Sequence, residues 1–379
     1  MISREARIGL ILAFLAMGVI AAVAVVAAMA APHPFDRVYY HGPLTDHFNG
    51  QRFFNPDGKS GTGGAQKPGP RAVFDMVTGA KHDSWPKSVP VTQTVPARRI
   101  DGTAMRVTWI SHATALVQTQ GLNILIDPVW SERDSPVTFA GPKRVRQPGV
   151  RLVDLPKIDI VLLSHNHYDH LDLAAMKFLW RRDRPLTITG LGNDTLLGWH
   201  GIPALGRDWG DRVPIKPGIN VIIERAHHWS GRWLLDRNRT LWCGFTITLP
   251  GGNLYYAGDT GPGDMRWASI AASHGPVRMA ILPIGAFKPG LPESGNHISP
   301  VEAVTAFKML KAGYALGVHW GTFELTSEGI NDPPELLKAT LIAQKIPLDR
   351  FRTPPAGEPW DIPLDNGRTA SLAFGRPRR

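Results

Sequence analysis

Cysteine is almost missing from this chain. Cys243 is the single example in 379 residues. One thiol excludes an intrachain disulfide and a thiolate zinc knuckle, so any metal must be held by nitrogen and oxygen. The chain also lacks a dense Lys/Arg tract interleaved with aromatics. That speaks against a nucleic-acid partner, although the net charge is +10. A basic balance still suits anionic partners such as phospholipid head groups. No internal repeat and no long low-complexity tract is present.

Apolar residues make up 43% of the chain, enough for a sizeable core, and Gly 39 and Pro 33 imply many turns. Arg4 and Arg7 precede Ile8 to Ala31, a run of 24 residues without a charge. Such a run is long enough to span a bilayer as a helix. Its positive flank places the N-terminus in the cytoplasm and the body beyond a bacterial inner membrane, on the periplasmic side. Ala28-Met29-Ala30 has the small-residue pattern of a cleavage site, so a secreted or periplasmic product is the rival reading. The run is longer than an ordinary signal core, which favours a retained anchor. Three parts follow: residues 1–32 as anchor or signal, 33–100 as an irregular Gly- and Pro-rich lead-in, and 101–379 as the body.

Within the body, alternating or continuous apolar runs predict strands over 105–110, 115–119, 122–127, 158–164, 187–189, 220–224, 244–249, 253–257, 279–283 and 315–319. Helices are expected over 172–182 with Asp172 as N-cap, over 300–311 with Pro300 in the first turn, and over 334–344. Strands that begin in hairpins and later alternate with helices imply two sheets covered by helices, an α/β protein.

The densest chemistry is Ser164-His165-Asn166-His167-Tyr168-Asp169-His170, directly after the apolar run 158–163. Three imidazoles and a carboxylate at the end of a rigid strand form a cation site suited to zinc and related transition metals. Other predicted strands end the same way: 220–224 before His227 and His228, 253–257 before Asp259, and 315–318 before His319. Seven ligands exceed one tetrahedral ion and suit two metals about 3.5–4 Å apart. His165, His167 and one of His227 and His228 would hold the first, Asp169, His170 and His319 the second, and Asp259 would bridge.

His165 to His170 fits His-x-His-x-Asp-His, and the chain resembles the metallo-β-lactamase fold superfamily. More closely, it resembles the N-acyl-phosphatidylethanolamine-hydrolysing phospholipase D group. Trp109-Ile110-Ser111-His112, Asp127 to Arg133, Gly141-Pro142-Lys143-Arg144, His228-Trp229-Ser230, Ala257 to Gly261, Pro283 to Ala286, His297 with Pro300, and His319 to Phe323 carry that likeness. The resemblance implies an αββα sandwich behind the N-terminal transmembrane helix, two zinc ions per chain, and His228 rather than His227 as ligand. It also implies a phospholipid substrate and leaves a homodimer open.

The expected activity is that of a dinuclear metal-dependent phosphodiesterase, hydrolysing N-acyl-phosphatidylethanolamine or a related phospholipid. Asp259 would orient the attacking water, and His297 would donate a hydrogen bond or proton near the leaving group. His112 and Asp127 are candidates for supporting ligand histidines, although Asp127-Pro128 also suits a plain turn. Lys143, Arg144 and Arg146 could bind an anionic head group or form a solvated basic loop. The alternatives are a lactone, lactam or thioester hydrolase of the same fold, and a membrane-tethered metal-binding protein without turnover.

Overall fold

The computed structural model describes residues 37–57, 85–233, 235–288 and 295–364. The expected membrane span over residues 8–31 lies outside them. Among the described residues, no helix is long and apolar enough to cross a membrane.

Two seven-stranded sheets form the body. In the first, β1 (Met105–Ser111), β2 (Thr114–Thr119) and β3 (Leu122–Ile126) make an antiparallel meander. It continues in parallel through β4 (Ile160–Leu163), β5 (Leu186–Gly190) and β6 (Leu205–Arg207). The second begins antiparallel with β7 (Arg212–Lys216), β8 (Ile219–Glu224), β9 (Gly244–Thr248) and β10 (Asn253–Tyr256). It too turns parallel, with β11 (Val277–Pro283), β12 (Tyr314–Val318) and β13 (Phe351–Arg352). The last strand, β14 (Pro359–Ile362), returns to pair with β1.

Side-chain alternation builds the layers. Ile124, Ile126, Ile160 and Leu162 face the second sheet, where they share a core with Val221, Phe245, Tyr256 and Ile281. Their neighbours Leu125, Val161 and Leu163 face the other way. There they meet Met176 and Leu179 of α1 (Leu173–Asp183) and Leu196 and Leu197 of α2 (Asn193–Trp199). On the far side α3 (Arg266–Ser273), α4 (Pro300–Met309) and α5 (Asp332–Ala343) contribute Trp267, Phe307 and Leu341 to the core. The order is helix, sheet, sheet, helix. Each fully buried aliphatic side chain stabilises this packing by roughly 1.5–3 kcal/mol.

The helix starts follow from local chemistry. Asp172 caps α1 by accepting from the N–H groups of Ala174 and Ala175. Ser299 and Glu302 form a capping box at α4, with Pro300 in its first turn. The lead-in residues 37–57 carry an isolated bridge between Phe48 and Phe53, which pack with buried Trp242.

Strand polarity places the site. β1, β3 and β4 run in one direction, and so do β8, β10 and β12. Their carboxyl ends meet at one edge of the sandwich, where the His319 N–H donates to the His112 carbonyl at 3.0 Å.

Candidate metal centre

The chain leaves β4 at Leu163 and carries Ser164, His165, His167, Asp169 and His170 toward one place before α1 begins. Asp127, just past β3, holds this segment. Its Oδ1 accepts from the Ser164 N–H at 2.8 Å. Its Oδ2 accepts from Ser164 Oγ and Tyr256 OH, each at 2.5 Å, and from His170 Nδ1 at 2.7 Å. The other wall needs a glycine. Gly258 has φ +64, and a Cβ there would stand 2.6 Å from the Cys243 carbonyl oxygen and 3.0 Å from Ser164 Cβ. His112, Asp127 and His319 also adopt left-handed backbone, with φ of 48, 38 and 64. Such conformations cost a side-chain-bearing residue energy and gather at functional sites.

Outward hydrogen bonds fix how the imidazoles point. Ser164 gives its hydroxyl proton to Asp127, so its oxygen accepts from His165 Nδ1 at 2.9 Å. His228 Nδ1 donates to the Asn296 carbonyl at 3.0 Å. In each ring the Nε2 lone pair then faces inward, as in a metal-ligating histidine with an anchored second nitrogen.

Two groups result. His165 Nε2 lies 2.9 Å from His167 Nδ1, which lies 3.4 Å from His228 Nε2. Ligands bonded at about 2.0–2.1 Å in a tetrahedron stand roughly 3.4 Å apart, so this trio has the span of one coordination shell. In the second group Asp169 Oδ2 lies 3.2 Å from His319 Nε2 and 3.6 Å from His170 Nε2. His112 Nε2 contacts the same oxygen at 3.0 Å. Asp259 stands between the groups. Its Oδ2 is 3.0 Å from both His170 Nε2 and His319 Nε2, 3.7 Å from His228 Nε2 and 4.0 Å from His165 Nε2.

The groups differ electrostatically. Burial holds His165, His167 and His228 well below the usual imidazole pKa, and their mutual proximity adds to this. Burial acts the same way on His170 and His319, but Asp259 and Asp169 override it. His170 is raised well above its usual value and His319 to about 9. Burial opposes ionisation of both carboxyls, yet the histidines hold Asp169 and Asp259 well below the usual range. Several inward atoms, among them His170 Nε2 and Asp259 Oδ1, are buried without a hydrogen-bond partner. Five imidazoles and two carboxylates with unsatisfied inward atoms fit a pair of divalent transition-metal cations.

A cavity of about 310 Å³ opens beside them, lined by His167, Asp169, Asp259, His297 and His319 on the polar side. His297 Nδ1 is 3.8 Å from Asp259 Oδ2. Burial pushes its pKa down to about 4, so at pH 7 the ring is neutral and offers an N–H.

The structure thus brings His165, His167, Asp169, His170, His228, Asp259, His297 and His319 to one place. His227 points elsewhere, its Nδ1 2.9 Å from Asp57 Oδ2. Arg144 and Arg146 correct the head-group expectation. Arg144 is buried and directs its guanidinium to the carbonyls of Ser131, Val129 and Arg146 and to Ser111 Oγ. Arg146 donates to the Gly321 carbonyl and stacks against Trp109 and Trp320. Neither these two nor exposed Lys143 lines the cavity. Other lining residues carried no sequence signal of their own: Asp134, Leu325, and Thr326, whose hydroxyl is buried without a partner.

Residues 122–320 match the model of the beta-lactamase superfamily domain. The N-acyl-phosphatidylethanolamine-hydrolyzing phospholipase D 1 of Caenorhabditis elegans is 34% identical over 333 residues, covering 83% of this chain and 93% of the worm protein. The mitochondrial N-acyl-phosphatidylethanolamine-hydrolyzing phospholipase D of Saccharomyces cerevisiae is 37% identical over 237 residues, 61% of this chain and 50% of the yeast protein. An isothiocyanate hydrolase from Delia radicum gut bacteria superposes with a TM-score of 0.56 at 22% identity, over 69% of this chain and 100% of that one. At that identity the likeness concerns the fold alone. The chain belongs to the metallo-β-lactamase superfamily and, within it, to the group of N-acyl-phosphatidylethanolamine-hydrolysing phospholipase D proteins. Membership makes it a hydrolase.

Proposed function

We propose that this protein is a dinuclear metal-dependent phosphodiesterase, and that it cleaves N-acyl-phosphatidylethanolamine or a close relative into phosphatidic acid and an N-acylethanolamine. One observation carries the reading: the Asp259 carboxylate stands between a group of three neutral imidazoles and a group containing Asp169, His170 and His319. A single carboxylate placed between two ligand sets is the bridge that a metal pair requires. The relatives in worm and yeast supply the substrate class.

His165, His167 and His228 would hold one zinc ion, and Asp169, His170 and His319 the other. The pair would supply a water acidic enough to attack at neutral pH and would neutralise charge on the phosphate oxygens. The protein's own part is orientation. Asp259 directs one carboxylate oxygen at the site and is too weak a base, with its lowered pKa, to keep a proton. Asp127 fixes the His170 ring, and Asn296 fixes the His228 ring. His297, neutral and lining the cavity, offers its N–H to the leaving oxygen. The cavity has room for a head group, so the acyl chains remain outside it. Residues 8–31 would anchor the body at an inner membrane, on the strength of their uncharged length.

The test is metal analysis of the purified chain, followed by a product assay on N-acyl-phosphatidylethanolamine. Two zinc equivalents and release of phosphatidic acid are expected. Release of free fatty acid instead, or no phosphodiester cleavage by the metal-loaded protein, overturns the reading.

A further inference from the structure

His227 sits next to a ligand, yet its ring faces the lead-in segment. Its Nδ1 lies 2.9 Å from Asp57 Oδ2, a contact across 170 residues of sequence. Both side chains are buried, with 3% and 4% exposure. The same Asp57 oxygen accepts from the Asp264 N–H at 3.2 Å, and Arg225 lies 3.6 Å from it. The backbone of His227 is zipped to the segment carrying Asp259. Its N–H donates to Thr260 Oγ1 at 3.0 Å, and its carbonyl accepts from the Gly261 N–H at 2.6 Å. Two residues before Asp57, the Asn55 amide donates to the His228 carbonyl at 2.9 Å. Gly263 packs against the pair so closely that a Cβ would lie 2.5 Å from Asp57 Oδ2 and 2.6 Å from His227 Nδ1.

These contacts form a clamp. The lead-in grips residue 227, which is one position from His228 and is bonded to the residues immediately after Asp259. A buried carboxylate and imidazole in contact do not drift apart without leaving a desolvated polar group unpaired, which is costly. Asp57 and His227 thus lie on the chain of contacts that joins the lead-in to the backbone beside His228 and just after Asp259, and neither side chain enters the ligand cluster. Partners one step removed from the ligands commonly control metal affinity about 10- to 100-fold.

We infer that Asp57 and His227 are positioning residues through which the lead-in segment tunes the cation position formed by His165, His167 and His228. The inference rests on the dinuclear reading above. It makes residues 37–57 part of the metal centre's scaffold rather than a wrapping around it.

Stepwise zinc titration of the metal-stripped full-length chain by calorimetry tests it, with cobalt substitution giving a visible spectrum. Asp57→Ala should weaken one binding step about 10- to 100-fold and leave the other within about twofold. Its cobalt spectrum should change, and its kcat should recover in excess zinc with little change in KM. His227→Gln keeps a donor facing Asp57 and should stay within about threefold of the wild type. If Asp57→Ala leaves both steps unchanged, or weakens both equally with a lower Tm for the metal-free protein, the clamp is structural only and the inference fails. If the wild type binds two zinc ions but Asp57→Ala titrates like it, only this inference falls. If the wild type binds none, the dinuclear reading falls with it.

Discussion

The two halves of the candidate metal centre are built from opposite electrostatics. The His165, His167 and His228 half contains only imidazoles, each kept neutral by burial. The half around Asp169 pairs carboxylates with His170 and His319 and so raises both imidazoles, His319 to about 9. A cation entering the first half displaces no proton. One entering the second must take the place of at least one. If the two groups hold one cation each, as proposed, the two positions should therefore differ in affinity and in pH response.

The largest effect should come from the residue they share. Asp259→Asn should remove both cations and lower kcat by about a thousandfold or more, whereas His167→Ala should empty one position and leave about one equivalent bound. Inductively coupled plasma analysis beside a rate assay reads both. Equal metal loss in the two variants would erase the distinction between halves. The next effect is in pH. Because His319 titrates near 9 in the cation-free protein, protons compete for the second half below that pH. Affinity there should rise by at least about tenfold per pH unit from 7 toward 9, with proton release on binding, while the first half stays nearly flat. Calorimetry in buffers of different ionisation enthalpy measures it, and two flat profiles would refute it.

Smaller effects sharpen the contrast. Asp127 bonds His170 directly but reaches His165 only through Ser164. Asp127→Asn should cost the second half about 10- to 100-fold in affinity and the first half less. His112 bonds Asp169 through its ring and packs against His319, both in the second half. His112→Gln should shift the second half by a few-fold, up to about tenfold, and spare the first. A shift of the first half in zinc titrations of His112→Gln would show the halves to be mechanically joined.

Much of this centre was legible in the sequence because strand ends announce themselves. A run of apolar residues stops, and His165, His228, Asp259 or His319 follows within a few positions. The direction of the strands, which brings those ends together, follows from the topology. Other parts gave no such notice. α2 and α3 start at Gly192 and Met265, both in left-handed conformation and without a side-chain cap, so the usual start signal is missing. β6 and β13 are only three and two residues long, too short for alternation to register. Asp57 falls in the irregular lead-in and carries no signal there, because its partner is 170 residues away. Arg144 and Arg146 read as a basic surface loop, and only tertiary packing shows that their charges are directed at carbonyls and aromatic faces.

That redirection of the arginines has a consequence for the sequence of events in a catalytic cycle. Among the described residues no lysine or arginine lines the cavity, and Asp134, whose carboxyl burial raises to about 8, also stands in its wall. If the substrate is the phosphodiester proposed above, one arriving before the cations would meet carboxylates and imidazoliums of offsetting charge. Under the proposed phosphodiesterase reading, cations would then load before the substrate, because only bound cations would give this cavity a surplus of positive charge.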